Sequence, residues 1–418
     1  MKFIHAADIH LDSPLTGLSS YQDAPAEALR TATRDAFANL INEAIAESVD
    51  FMVIAGDLYD GNWKDFNTGL FFVREMGRLK KAGIPVYVLY GNHDAESEMT
   101  KKLSLPENVF GFETRKASTH RIPELKVALH GRSFKEAATT ENLAIGYPDP
   151  VPGWLNIGVL HTALEGNTVH ANYAPCSIAE LEAKGYAYWA LGHVHEHRIW
   201  RGKSTVVFPG NLQGRHIREP GPRGAVIVTA DGTEIKTVER LHVDVLRWHL
   251  LEIDVSSARS LDEVVSLTRR SLENLSATSD PSIPLAVRVS LQGSSPSHGE
   301  LFGLEAQLRA EILAQAVAIG AERIWIEKVK LETTAQETAE AIAARSDAIA
   351  DLQSLLNGAD ADEDFLRGLQ EELLQLIGKV PVELLKSNPE LDAIRSGHLG
   401  DLVRNTVPNL VARLAKVG

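Results

Sequence analysis

The stretch Val86-Tyr-Val-Leu-Tyr-Gly-Asn-His-Asp94 constrains this chain more than any other. A β-branched and aromatic run that stops at glycine predicts a buried strand followed by a loop. The loop opens with an amide, an imidazole and a carboxylate in a row, at Asn92, His93 and Asp94. An α/β sheet presents chemistry in this way, at the carboxyl ends of its strands. Residues 2–7 read as a first strand followed by Asp8 and His10, and Phe51-Met-Val-Ile-Ala-Gly-Asp57 reads as a second. Residues 25–49 and 66–82 between them recur near helical spacing, with Gly83 ending the latter. Strand, helix, strand, helix, strand implies βαβ units and an α/β fold.

After Pro106 the pattern turns to shorter strands at 126–130, 155–161 and 186–191, with a short helix at 178–184. Residues 204–208 and 224–229 read as a closing antiparallel section, with Asp231-Gly232 as a hairpin turn. A boundary falls near 245. Strands are expected at 247–255, 284–292 and 322–331, with helices at 260–275 and 300–318 between them. From Glu332 the chain is rich in Ala, Leu and Glu at helical spacing, as at Leu366, Leu369, Leu373, Leu374 and Leu376. Pro381 and Pro389 are expected to break it into short helices. The expected domains are therefore 1–245, an α/β unit at 246–331 and a helical region at 332–418.

Hydrophobic content of 44% and charged content of 23% are those of a soluble globular protein. The single cysteine, Cys176, excludes an intramolecular disulfide framework and a Cys-rich zinc site, and fits a reducing compartment. The N-terminal apolar run is too short for a signal peptide, and no stretch approaches the roughly 20 apolar residues that span a bilayer. These features lead us to expect a cytoplasmic protein with no membrane partner. The net charge of −14 argues against simple electrostatic attraction to nucleic acid. Residues 332–418 hold 15 acidic and 8 basic residues, which is half of that excess.

Five strand ends carry polar groups: Asp8-Ile-His10, Gly56-Asp57, Gly91-Asn92-His93, His161 and Gly192-His193-Val-His195. Any one of them is a weak signal. Together they supply two carboxylates, four histidines and one amide to one rim, with His93 in addition. Asp and His suit divalent Mn, Fe, Zn or Mg, and no thiolate is present to select a softer ion. Two ions about 3.5–4 Å apart need a bridging ligand, and Asp57 on a central strand is the natural choice. Alternation places Asp8 and His10 on one side of an extended segment. The same holds for His193 and His195, although their imidazoles can serve different ions. His93, beside Asn92, is left to face a substrate as acid for the leaving oxygen, to stabilise charge, or to orient a ligand.

These motifs in this order resemble the calcineurin-like metallophosphoesterase superfamily over residues 1 to about 240. His5-Ala-Ala-Asp-Ile-His-Leu-Asp12 and Gly56-Asp-Leu-Tyr-Asp60 resemble the DNA repair exonuclease branch typified by bacterial SbcD. Phe208-Pro-Gly-Asn-Leu-Gln-Gly-Arg-His-Ile-Arg-Glu219 resembles the shorter YhaO-like group. The resemblance implies a four-layered αββα sandwich followed by a small α/β capping domain. It implies one metal on Asp8, His10, Asp57 and His195, a second on Asp57, Asn92, His161 and His193, and His93 as the catalytic histidine. It implies manganese as the preferred ion, a coiled-coil ABC-type ATPase of the SMC/Rad50 kind contacted by C-terminal helices, and a homodimer. Some members of that branch carry a histidine where this chain has Asp60, and residues 332–418 match no motif of the family.

The leading expectation is a Mn-dependent nuclease acting on DNA ends, either duplex or single-stranded, in repair. Its basic contacts are sought in Arg215, His216, Arg218 and Arg223, with Arg132 as a weaker candidate. The alternatives are a phosphoesterase for small esters or cyclic nucleotides, and an adaptor with a nearly idle site.

Overall fold

The structure is a computed structural model that describes residues 1–15, 26–60, 66–96, 105–136, 138–164, 173–335, 348–377 and 389–417. Pro25 and Pro381 lie outside the described residues. The chain divides into two compact units, one of Met1–His249 with Ser282–Ala286 and one of Leu250–Pro281 with Val287–Gly418.

The first unit begins β1 (Lys2–Ala6), α1 (Ala26–Ala46), β2 (Phe51–Ala55), α2 (Phe66–Lys81), β3 (Val86–Leu89), α3 (Asn92–Glu96). It continues β4 (Val109–Gly111), β5 (Ser118–Ile122), β6 (Val127–Gly131), β7 (Leu155–His161), α4 (Ile178–Ala183), β8 (Tyr188–Gly192). It ends with β9 (Arg198–Arg201), β10 (Thr205–Phe208), β11 (Gly224–Asp231) and β12 (Glu234–His242). Two six-stranded sheets form, in the orders β12-β11-β1-β2-β3-β4 and β5-β6-β7-β8-β10-β9. Within them β1–β2–β3–β4 and β6–β7–β8–β10 are parallel. Phe3, Val53, Leu89, Leu129, Val159 and Ala190 pack the two inner faces together. Phe37, Leu40, Phe72 and Leu79 seat α1 and α2 on the outer face of the first sheet. Leu181, Tyr147 and Trp189 close the outer face of the second, where Ser177 and Glu180 start α4 with a reciprocal capping box. The result is the expected four-layered αββα sandwich. Its central strands are covered on both faces, which explains apolar runs such as Phe51–Ala55 and Val86–Leu89.

Several local expectations change. Residues 204–208 and 224–229 do not pair: β10 adds to β8 in one sheet and β11 to β1 in the other. The hairpin turn is Gly232-Thr233, because Asp231 pairs with Glu234. Gly232 supplies the positive φ of 55° that this tight turn requires.

The second unit contains most of β13 (Arg247–Asp254) and β14 (Leu285–Ser295), then β15 (Ile324–Ala335), in one three-stranded sheet of order β13-β14-β15. Helix α5 (Leu261–Thr278) is capped by Ser260. The helix expected at 300–318 is two helices, α6 (His298–Leu301) and α7 (Glu305–Gly320), interrupted at 302–304. Further helices are α8 (Ala348–Leu356), α9 (Glu363–Ile377), α10 (Pro389–Ser396) and α11 (Gly400–Val417). Pro389 opens α10, because a first-turn residue needs no N–H. Leu366, Leu369 and Leu373 pack with Ile377, Ile394 and Leu399, whereas Leu374 and Leu376 face outward. Among the described residues no helix is long and apolar enough to cross a membrane.

Candidate metal centre

The polar groups that follow β1, β2, β3, β7 and β8 meet at one rim between the two sheets. Three glycines make the approach possible. A Cβ on Gly56 would lie 2.3 Å from the His161 ring, one on Gly91 2.3 Å from Asp57 Oδ1, and one on Gly192 2.0 Å from the Ala55 carbonyl. The backbone is also bent into place. Asp8, His10, Asp57 and His193 all have positive φ, at 50°, 46°, 52° and 100°. Such conformations are costly for residues other than glycine and persist where the surroundings over-determine them. Here the surroundings are hydrogen bonds from Asp8 N to Gly56 O, His10 N to Asp57 O, and His193 N to both Asp8 carboxylate oxygens, each 3.0 Å.

The ligand atoms gather in three groups, each with all members within 4.8 Å of one another: Asp8, His10, His195; Asp57, His161, His193; and His10, Asp60, His93. Asp57 faces the first two groups. Its Oδ2 is 3.4 Å from His161 Nε2 and 4.0 Å from His10 Nε2, while Oδ1 accepts from His93 N at 3.0 Å. Asn92 Oδ1 lies 2.9 Å from His161 Nε2. His161 Nδ1 donates to Ala55 O at 2.9 Å, so Nε2 is the atom turned to the site. His195 Nδ1 donates to Glu219 Oε1 at 2.6 Å, which turns its Nε2 inward, 3.2 Å from His10 Nε2.

This donor set fits cations. Lone-pair atoms face one another at contact distance, on side chains that are almost all buried. The charges give the same indication. Burial opposes ionisation of Asp57, but His161, His10 and His93 more than offset it and hold that carboxyl well below the usual range. Burial pushes the His161 imidazole down, but Asp57 and Asp8 hold it up at about 9. Burial raises Asp8 to about 6 and depresses His10 to about 3. Acidic neighbours that favour positive charge at His161 fit a cation site, and two divalent ions would supply that charge. Asp8, His10 and His195 would hold one and Asn92, His161 and His193 the other, with Asp57 shared.

The three polar residues after β3 form one helical turn, α3, and not an open loop. The turn splays their side chains. Asn92 faces His161. Asp94 turns inward and accepts from the N–H groups of Leu58 (3.1 Å), Tyr59 (2.9 Å) and Gly91 (2.9 Å), locking the β2 and β3 loops together. His93, 38% exposed, is the most open of the three, and its Nδ1 is 3.4 Å from Asp60 Oδ1. Asp60 is a hub: the same oxygen is 3.5 Å from His10 Nδ1 and 3.6 Å from Arg215 Nη1.

The arginine candidates separate. Arg215 reaches Asp60 and donates to Ser13 Oγ at 3.0 Å, at the rim. His216 stands beside Glu219 at 3.7 Å, and Arg218 is exposed on the same loop. Arg223 is buried and donates to the carbonyls of His195 and Pro220 and to Asn211 Oδ1, so it holds the loop and not a ligand. The Arg132 guanidinium is engaged by Glu141 at 2.9 Å and the Thr114 carbonyl at 3.3 Å, neither of them a member of the cluster. Glu219 carried no expectation of its own. Its only sequence signal was its place at the end of the Phe208–Glu219 motif.

Residues 1–197 match the family model for calcineurin-like phosphoesterase, and residues 248–334 the model for metallophosphoesterase YhaO, middle domain. The chain belongs to the calcineurin-like metallophosphoesterases and is a metal-dependent phosphoester hydrolase with a YhaO-type middle domain. It is 33% identical over 307 residues to the uncharacterized metallophosphoesterase YhaO of Bacillus subtilis, covering 71% of this chain and 72% of that one. It is 27% identical over 237 residues to the DNA double-strand break repair protein Mre11 of Sulfurisphaera tokodaii, covering 54% of this chain and 60% of that one. The Mre11 of Methanopyrus kandleri is 26% identical over 309 residues, covering 65% of this chain and 63% of that one. The chain thus spans less than two thirds of the length of those two Mre11 proteins.

Proposed function

We propose that this protein is a Mn-dependent phosphodiesterase that cuts DNA from its ends. The observation that carries this reading is the rim itself: two ligand groups sharing Asp57, with His93 and Arg215 standing at its open side. A bound ion pair supplies Lewis acidity, activating water near neutral pH and neutralising charge on the phosphoryl oxygens. The chain's own residues supply the rest. Asp60 Oδ1, 3.4 Å from His93 Nδ1, steadies the ring in its imidazolium form, whose Nε2–H can pass its proton to the leaving oxygen as a general acid. Arg215 adds positive charge where a phosphodiester backbone would lie, in a chain whose net charge of −14 otherwise repels it. Similarity to Mre11 proteins, whose name describes DNA double-strand break repair, supports DNA over a small ester. An SMC-like ABC ATPase and a second copy of this chain are the partners this reading implies.

The test is degradation of a linear duplex by the purified chain with Mn2+, beside hydrolysis of bis(p-nitrophenyl) phosphate. Shortening of linear DNA is the expected result. Turnover of the small diester with linear DNA left intact at every salt concentration favours the small-ester reading, and no turnover of either favours an idle site.

A further inference from the structure

We propose that Glu219 is a positioning residue that serves two parts of the site at once, aiming His195 at its metal and fixing Arg215 at the rim. Glu219 lies on the irregular loop between β10 and β11 and is only 5% exposed. A buried carboxylate is expensive unless its lone pairs are satisfied. Here they are satisfied by functional groups. Oε1 accepts from His195 Nδ1 at 2.6 Å, and Oε2 accepts from Arg215 N at 2.7 Å and Asn211 Nδ2 at 3.0 Å. Arg215 Nη2 stands 3.9 Å from Oε1 and His216 Nε2 3.7 Å.

Each contact has a consequence. An imidazole that gives its Nδ1 proton to a carboxylate has its tautomer and ring plane fixed and a more basic Nε2, the atom that ligates. His195 Nε2 is the atom that meets His10 in the first ligand group. Anchoring Arg215 through its backbone sets where its side chain starts, and the guanidinium then reaches Ser13 and Asp60. Its Nε is buried and meets no hydrogen-bond acceptor among the described residues. The guanidinium is held at the rim by Ser13 and Asp60. Arg223 holds the same loop from below, through the carbonyl of His195 and Asn211 Oδ1. The loop is thus tethered independently of Glu219, and a Glu219 substitution should alter aim more than fold.

This inference rests on the two-ion reading of the site and not on DNA as substrate. The test is Mn2+ binding by isothermal titration calorimetry without substrate, on wild type, Glu219→Gln and Arg215→Ala, with hydrolysis of bis(p-nitrophenyl) phosphate at saturating Mn2+ alongside. In Glu219→Gln one of two ions should bind about 10–100-fold more weakly while the other is unchanged. KM for the diester should rise. Arg215→Ala should raise KM with both Mn2+ affinities intact. Should Glu219→Gln melt below the assay temperature, Glu219→Asp replaces it: the charge remains but sits one methylene short of His195, and the same selective loss is required. Wild-type affinity for both ions in the folded variant, or equal loss of both, overturns the proposal. A wild type that does not bind two ions overturns the two-ion reading instead.

Discussion

Asn92, His93 and Asp94 are consecutive, yet they do three different things because one helical turn separates their directions. Asn92 faces His161, Asp94 ties two loops by their N–H groups, and His93 opens to solvent beside Asp60. His93→Ala should therefore leave both metals bound and lower kcat by about 10²–10⁴-fold, the range for a lost general acid. Metal content by elemental analysis together with steady-state kinetics checks this. Loss of metal would mean that the imidazole is a ligand. The convergence of the candidate ligands was legible in the sequence because each lies at the end of an apolar strand, and strand ends converge in a sheet. Glu219 was not, because it reaches His195 from an irregular loop 24 residues away, with no periodicity to follow. The arginines were equally opaque. Arg215 and Arg132 are both loop cations, and only the fold shows that Glu141 claims one while Ser13 and Asp60 place the other.

At the scale of elements, the site depends on two sheets being held in fixed relation at their strand ends. His5 on β1 provides one such link. Its Nε2 donates to Leu191 O at 3.1 Å and its Nδ1 accepts from Tyr188 Oη at 2.9 Å, both on β8 just before His193. Burial lowers the His5 pKa from its ordinary 6.5 to about 3. Between those values the unfolded chain binds a proton that the folded chain refuses, so this residue's effect on stability is nil above pH 6.5 and increasingly unfavourable as pH falls through the window. The loss at pH 5 is about 2 kcal/mol, at 1.36 kcal/mol per unit. His5→Gln, which cannot titrate, should show a smaller drop in Tm between pH 7 and pH 5 than wild type, measured by calorimetry at both pH values. An equal drop would mean that His5 is accessible to protons. The doubly covered strands β1, β2, β3, β7 and β8 were legible as apolar runs. The half-exposed strands β4, β5 and β9 were not, because their residues follow no clean alternation. The parallel placement of β10 beside β8 was hidden because consecutive strands usually lie side by side, and β10 instead inserts between β8 and β9.

At the scale of the molecule, a chain with a net charge of −14 builds a cluster of buried carboxylates and imidazoles whose own field favours cations. Half of the excess negative charge lies in 332–418, outside the unit that carries the site. The left-handed turns at Asp8, His10, Asp57 and His193 are tolerated because the sandwich around them is fully packed. Asp57 ties the arrangement together, since its carboxylate faces both ligand groups. Mn2+ titration of the wild type and of Asp57→Asn, with circular dichroism to verify the fold, tests the central claim most directly. Wild type should bind two ions per chain, and both affinities should fall together in the folded variant. Loss of one ion with the other unchanged, or a wild type that binds a single ion, would contradict a shared two-metal centre.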